Sequence, residues 1–166
     1  MIVGLGGHAR VGKDTAAAWL VEHHGYGSVA FADPVRGVVY DTHPDIAALV
    51  DAFGWTEAKT EAHVRAALQE AGESLRRRLG EAVLIESAER RLGPDTVVTD
   101  VRTPVEAAAV RKWGGTLVRV VRPGVTAVND HWLEHVLSDG TGFDHTIVND
   151  GTPADLGQKL ARVVGA

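Results

Sequence analysis

Cysteine is absent from all 166 residues, so the chain cannot form a disulfide framework, and its composition is compatible with a reducing compartment. No apolar run approaches the roughly 18 residues that a membrane-spanning helix requires. The N-terminus also lacks the basic segment ahead of an apolar one that is typical of a secretory signal. From these absences we expect a soluble, cytoplasmic protein that does not enter a membrane.

A surplus of basic residues is also missing. Lysine and arginine total 17 against 22 aspartate and glutamate residues, which gives a formal net charge of −5. This balance argues against a general binder of nucleic acid or of membrane surfaces, but it leaves room for a local basic pocket that holds a small anion. The length suits one domain, and a hydrophobic content of 45% is enough to form a buried core.

Short apolar runs alternate with helical stretches, which predicts an α/β fold: a mostly parallel, five-stranded sheet with helices on both faces. Several runs are continuous in Val, Ile and Leu, as is typical of buried parallel strands. The predicted strands are 2–5, 29–32, 96–99, 117–121 and 146–148. The predicted helices are 13–23, 34–40, 104–113 and 153–164. Thr152 is the predicted N-cap of the last helix, with Asp155 three positions later.

Residues 45–92 show no strand pattern. Within these residues, the helical stretch 74–92 is interrupted at Gly80. We therefore predict a helical insertion at about 45–92 within a single domain of residues 1–166, next to the carboxyl edge of the sheet, where ligands of open α/β sheets bind. Four apolar residues of the insertion share one helical face: Val64, Ala67, Leu68 and Ala71.

A glycine-rich stretch separates the first apolar run from the first helix, with the spacing Gly7-x-x-x-x-Gly12-Lys13. Glycines let the backbone turn tightly so that successive N–H groups converge on one anion, while the helix N-terminus and the lysine add positive charge. This is the P-loop pattern in its strand–loop–helix context. The residues predicted here to bind ATP are Gly7, Ala9, Arg10, Val11, Gly12, Lys13, Asp14 and Thr15.

Asp14 occupies the position where P-loops normally have a Ser or Thr whose hydroxyl meets magnesium. We expect Thr15 to supply the hydroxyl instead, and Asp14 to act through water. The alternative interpretation is that the glycines form only a turn between a strand and a helix.

Two carboxylates follow predicted strands: Asp100 in "VVTDVR" and Asp33 in "VAFADPVR". Magnesium on a nucleotide phosphate prefers carboxylates at such strand ends. Each aspartate has a structural alternative: Asp33 as the N-cap of a helix before Pro34, and Asp100 as the cap of the turn before Pro104. The predicted metal ligands, in part through water, are Thr15, Asp14 and Asp100.

Arginines occur where a second anion would bind. Guanidinium groups bind phosphate bidentately and remain charged, so they suit a phosphorylated acceptor. Arg122 follows a strand and is predicted to close over the transferring phosphates, in a lid-like segment at about 122–140. The candidate arginines for the acceptor are Arg36, Arg65, Arg76, Arg77 and Arg102.

Two further motifs lie near the C-terminus. His131 and Glu134 in "HWLEH" share a face if that segment is helical, as a metal pair, as polar surface or as a hydrogen-bonded pair. The turn signal Asn149-Asp150-Gly151 follows the last strand, where it suits a nucleotide-base contact made mostly by backbone groups. Asn149, Gly151 and Thr152 are therefore added to the predicted ATP-binding residues.

Taken in order, these stretches resemble the deoxynucleoside monophosphate kinases of tailed bacteriophages, within the P-loop nucleoside monophosphate kinase superfamily. The resemblance covers nearly the whole chain. It is carried by the stretches "GHARVGKDT", "FADPVR", "VRAALQEAGESLRRRLG", "VVTDVRTPVEAAAVRKWGGTLVRVVRPG", "HWLEH" and "IVNDGTPADL". Thr103 departs from the family pattern, which often has an aromatic residue at this position.

The resemblance implies transfer of the ATP γ-phosphoryl group to a deoxynucleoside 5′-monophosphate, with Mg²⁺ accompanying ATP. By the same resemblance Arg65, Gln69 and Arg76 hold the monophosphate, whereas Asn149 to Thr152 lie near adenine. The expected partners are these two nucleotides, not nucleic acid or membrane, and a homodimer is left open. The residues expected at the reaction centre are Lys13, Asp33, Asp100, Arg102 and Arg122, of which Asp33 and Arg102 also contact the acceptor.

Three rival interpretations stay open from sequence. The chain could be a P-loop kinase for another phosphorylated acceptor, such as phosphomevalonate or dephospho-coenzyme A. It could be a nucleotide-binding regulatory module without an acceptor, although such a module does not need the arginines of the insertion. It could also be a structural α/β domain whose loop binds nothing.

Overall fold

The structure is a computed structural model that describes residues 1–126 and 142–166. The chain divides into two compact units, Met1–Phe31 with Ala88–Ala166, and Ala32–Ser87. The strands are β1 (Ile2–Gly6), β2 (Gly27–Val29), β3 (Thr96–Val101), β4 (Thr116–Val121) and β5 (His145–Val148). The helices are α1 (Lys13–His24), α2 (Asp33–Thr42), α3 (Pro44–Ala58), α4 (Ala62–Leu79), α5 (Ala82–Glu89), α6 (Pro104–Lys112) and α7 (Pro153–Val164).

The first unit contains a five-stranded sheet in the order β2-β3-β1-β4-β5, and every neighbouring pair is parallel. The predicted α/β fold class is therefore confirmed. Because all strands run in one direction, their carboxyl ends share one edge of the sheet, and the loop after the central strand β1 begins at that edge.

The core of the first unit lies where α1 and α7 cover one face of the sheet. Leu5, Leu20, Val118 and Leu160 are fully buried there. Burial of side chains of this size contributes about 2 kcal/mol each. The capping box predicted for α7 is confirmed, since Thr152 and Asp155 bond each other's backbone N–H groups.

The second strand is shorter than predicted and lies earlier in the sequence. Residues 29–32 were expected to form it, but β2 is Gly27–Val29. The N–H of Phe31 donates to the Asp100 carboxylate at 2.7 Å, so a side chain takes the place of a strand partner. Pairing ends for this tertiary reason, which the apolar composition of the run does not encode.

The second unit contains α2, α3, α4 and most of α5, and residues 45–92, which are all described, contain no strand. Its core is formed by Val39, Ile46, Ala58 and Val64. The predicted apolar face of α4 is confirmed, because Ala67, Leu68 and Ala71 pack against this core. Gly80 ends α4, as expected, with a φ of +77°.

In the described part of the chain, no helix has the length and apolar character needed to cross a bilayer. Most of the lid-like segment predicted at 122–140 lies outside the described residues, as do His131 and Glu134.

Asp144 fastens the start of β5 to β4 and gives the fold a dependence on pH. Its carboxylate accepts hydrogen bonds from the Leu117 N–H at 2.8 Å and from Arg111 at 2.9 Å. Burial acts to raise the pKa of Asp144, but the bonds from Leu117 and Arg111 outweigh it and hold that pKa below 3.8. The charged form therefore stabilises the folded state above pH 3.8, and this contribution disappears as pH falls through the lowered pKa.

We expect Asp144→Asn to reduce the free energy of unfolding at pH 7, because the charge that Arg111 faces is lost. The difference from wild type should shrink as pH falls below 3.8. Urea unfolding of both proteins at pH 7 and at low pH measures it. A difference that grows on acidification would contradict the assignment.

Candidate functional site

The loop between β1 and α1 has the backbone geometry of an anion-binding site. Three of its residues adopt positive φ values: Gly7 at 127°, Arg10 at 66° and Gly12 at 102°. Among the described residues, Arg10 is the one non-glycine residue in this region of φ. Such conformations cost about 1–2 kcal/mol in a residue with a side chain, and they bring successive N–H groups to one side of the chain, where they form a concave anion site.

The two glycines of the loop are also required by close approach. A Cβ atom on Gly7 would lie 2.2 Å from the Val120 carbonyl oxygen. On Gly12 it would lie 2.6 Å from the Asn149 amide nitrogen and 2.9 Å from Leu156. The loop is therefore seated directly against β4 and the start of α7, so its position is fixed by the sheet.

Lys13 and the start of α1 add positive charge to the loop. The ammonium group of Lys13 donates to the carbonyl oxygens of Gly7 at 2.8 Å and of His8 at 2.6 Å, so it spans the loop. Gly12 is the N-cap of α1 and supplies no side-chain bond to its first N–H groups. A helix start of this kind attracts anions through its dipole and its N–H donors.

Asp14 and Thr15 both lie exposed in the first turn of α1. The described residues contain no cluster of three or more His, Cys, Asp or Glu side chains that could hold a metal by themselves. Magnesium on a nucleotide, however, is held by one or two protein oxygens together with phosphates and waters. An exposed carboxylate and hydroxyl beside a phosphate loop fit that donor set.

The end of β3 lies beside the end of β1, because Val101 is paired with Gly6. Asp100 is 7% exposed, and one of its oxygens accepts the Phe31 N–H. Arg102 is half-buried and donates its backbone N–H to Glu106. Both side chains thus belong to the strand end next to the loop, with part of the Asp100 carboxylate used to hold β2.

The helix that begins at Pro104 is capped by a residue other than Asp100, and the capping alternative for Asp33 is wrong. Thr103, not Asp100, caps α6, in a capping box with Glu106. Ala32 is the N-cap of α2, and Asp33 is its first residue. The signal for the first correction was present in the sequence as "TPVE", which has the Ser/Thr-x-x-Glu spacing of a capping box. Thr103 is buried as well as capping, so the residue has a structural role in this chain.

Asn149 lies in contact with the phosphate loop. Its side-chain amide donates to the Val11 carbonyl at 2.9 Å, and its backbone N–H donates to Val121 at 2.7 Å. The side chain is 9% exposed. Gly151 and Thr152 are exposed, with Thr152 bonded to Asp155. The base contact expected for this turn stays a prediction, whereas the contact of Asn149 with the loop was missed by sequence reasoning.

The acceptor candidates of the second unit differ in their surroundings. Arg36 forms an ion pair with Asp33 at 2.9 Å. Arg65 donates to the carbonyl oxygens of Lys59 and Thr60, both at 2.9 Å, which holds the turn before α4. On α4, Gln69 and Arg76 are half-buried, whereas Arg77 is exposed. In the first unit Arg122 is exposed at the end of β4.

Comparison with known proteins identifies relatives of this chain. Residues 81–160 match the model of the family described as "Deoxynucleotide monophosphate kinase". A protein of Acanthamoeba polyphaga mimivirus, provisionally named a deoxynucleotide monophosphate kinase, is 27% identical over a gapped alignment of 180 positions, which covers 92% of this chain and 90% of that protein. The resemblance seen in the sequence is thereby confirmed.

Solved structures support the fold. Shikimate kinase from Aquifex aeolicus has a TM-score of 0.58 at 16% identity, and the match covers 99% of this chain and 96% of that one. Shikimate kinase from Acinetobacter baumannii has a TM-score of 0.55 at 16% identity, covering 98% and 92%. The chain shares the fold of these kinases, and the family match supports a phosphotransferase acting on a nucleotide monophosphate.

Proposed function

We propose that the protein transfers the γ-phosphoryl group of ATP to the 5′-phosphate of deoxynucleoside monophosphates, which yields ADP and the deoxynucleoside diphosphate. The observation that supports this most is the loop at residues 7–13, whose positive φ values, uncapped helix start and spanning lysine suit a polyphosphate. The family match over residues 81–160 points to the deoxynucleotide acceptor.

In this proposal the ATP phosphates occupy the loop. The N–H groups of the residues from Gly7 to Gly12 would bind the phosphate oxygens, and the Lys13 ammonium would turn from the carbonyls of Gly7 and His8 to the outer phosphates. Bound Mg²⁺ would be held by Thr15, by Asp14 through water, and in part by Asp100, and it would neutralise phosphate charge.

Most of the residues that bind the acceptor in this proposal belong to the second unit. Half-buried arginines suit this role, because a guanidinium removed from bulk water binds a phosphate dianion more strongly than an exposed one. Arg102 and Arg122 of the first unit are proposed to cancel charge on the moving phosphoryl group. The proposed acceptor-binding residues are Asp33, Arg36, Arg65, Gln69, Arg76, Arg77 and Arg102.

The proposed reaction needs alignment more than proton transfer. An oxygen of the monophosphate attacks the γ-phosphorus, and the bond from that phosphorus to the bridging oxygen of ADP breaks. The attacking oxygen is already anionic, so no general base is required. The protein's task is to hold two polyanions in line and to cancel the charge on the transferring group.

A panel of acceptors tests this proposal. ADP release is measured with ATP and Mg²⁺ in the presence of each of the four common deoxynucleoside monophosphates, their ribose counterparts, phosphomevalonate or dephospho-coenzyme A. Stimulation by at least one deoxynucleoside monophosphate is the expected result. Stimulation only by a non-nucleotide acceptor would indicate a different kinase. ATP binding that no acceptor turns into turnover would indicate a regulatory module.

Arg65→Ala is expected to raise the KM for the monophosphate by about 10–100-fold, the range for losing one charge-assisted phosphate contact of roughly 1.5–3 kcal/mol. The KM for ATP should change little. Steady-state kinetics with each substrate varied in turn measure both values. Arg78→Ala is the matched control, because Arg78 is exposed on the same helix. A selective loss of ATP affinity in Arg65→Ala would show that the acceptor has been assigned to the wrong residues.

A further inference from the structure

Asn149 joins the last strand of the sheet to the phosphate loop. The residue follows β5 and is separated from Val11 by 138 positions in sequence, yet its amide nitrogen donates to the Val11 carbonyl at 2.9 Å. Its own backbone N–H donates to the carbonyl oxygen of Val121 at the end of β4. The side chain is therefore fixed at its base by the sheet and reaches to the loop from a rigid support.

Val11 and Gly12 of the loop lie in close contact with the Asn149 side chain. Val11 is 1% exposed, so its carbonyl has little access to water, and the Asn149 amide satisfies it. Gly12 lies so close that any Cβ at that position would approach the Asn149 amide nitrogen to 2.6 Å. Val11 and Gly12 directly precede Lys13, so the orientation of their peptide units decides where the loop N–H groups and the lysine point.

We propose that Asn149 is a positioning residue for the phosphate loop: by holding the Val11 carbonyl on the buried side, it keeps the following N–H groups turned towards the nucleotide phosphates. This inference rests on the proposed binding of ATP by the loop. It differs from a base contact, because the amide acts on the protein backbone and not on the nucleotide.

The test begins without nucleotide. Arg10 is exposed and Val11 is buried, so trypsin can cut the bond between them only when Val11 is released. Asn149→Ala should increase the rate of cleavage at this bond by about tenfold, a factor that corresponds to about 1.4 kcal/mol. Lys159→Met is the control, because Lys159 donates to the Val148 carbonyl one residue away and to the Asp150 carboxylate. Equal cleavage rates in Asn149→Ala and wild type would overturn the proposal.

The second measurement is the dissociation constant of ATP as a function of pH. Asn149→Asp replaces the donor by a carboxylate, which repels both the Val11 carbonyl and the phosphates, so ATP binding should weaken by at least about tenfold at pH 8. A protonated carboxyl can donate a hydrogen bond again, so the loss should diminish towards pH 5. Wild type and Lys159→Met should show no such recovery.

The two proposals fail in different ways. If wild type does not bind ATP, the proposed function falls, and the cleavage rates still decide whether Asn149 positions the loop. If wild type binds ATP and Asn149→Asp binds it equally well at pH 8, the positioning role is overturned and the kinase proposal stands. A pH-independent loss in Asn149→Asp, with cleavage at Arg10 as slow as in wild type, would indicate direct contact with the nucleotide and would also overturn it.

Discussion

Replacing Lys13 by methionine is expected to lower kcat by about 10²–10³-fold, the range found when one preorganised donor to a developing charge is removed. Methionine keeps most of the length of the side chain and removes only the charge and the donors. In the free protein the ammonium spans the loop between Gly7 and His8. With ATP bound, we expect the Lys13 ammonium to stabilise charge on the transferring phosphoryl group. Among the other described side chains of the loop, only Arg10 has a permanent positive charge, and Arg10 is exposed.

Kinase assays with saturating ATP and acceptor measure this effect, and thermal unfolding of the same variant checks that the fold is intact. Lys112→Met is the matched control, because Lys112 is exposed in the last turn of α6, away from the loop in sequence. A Lys13→Met protein with wild-type kcat would remove the phosphate-loop assignment. Loss of activity in both variants would point to a general effect of charge.

Gly7→Ala is expected to raise the dissociation constant of ATP by about 100-fold or more. It should also lower the free energy of unfolding by about 2–4 kcal/mol. The added Cβ would lie 2.2 Å from the Val120 carbonyl oxygen. That oxygen belongs to β4, which is paired on both sides, so the backbone cannot move away without breaking the sheet. The loop must therefore move instead, and its N–H groups move with it.

Gly114→Ala is the control that separates the backbone strain of a positive φ from displacement of the loop. Gly114 also has a positive φ, of 75°, but nothing lies within 4 Å of a Cβ built there. This variant should lose only about 1 kcal/mol of stability and bind ATP like wild type. Calorimetric titration with ATP and urea unfolding of both variants give the comparison. Equal ATP affinities in the two variants would show that the position of Gly7 does not matter for binding.

Local signals in the sequence were sufficient for much of the fold. The glycine spacing before Lys13, the Thr152–Asp155 capping box and the apolar face around Val64 each depend on residues within a few positions of one another, and the structure contains all three. Parallel strands were recognisable because their burial on both faces demands continuous apolar runs. The predicted bounds of β2 were wrong, because the strand ends where the Phe31 N–H donates to Asp100, which lies 69 positions away in sequence.

The sequence by itself determined most of the elements, their α/β order and the glycine-rich loop before Lys13, because helix caps, turns and apolar periodicity are properties of neighbouring residues. Only the tertiary structure decided that Asp100 ends β2 and that Asn149 holds the Val11 carbonyl. The two long-range contacts depend on strand order, which places β3 beside β1 and β2, and β5 beside β4. A hydrogen bond between residues 138 positions apart leaves no local pattern in the sequence from which it could be predicted. It exists because the sheet brings two strand ends to the same edge.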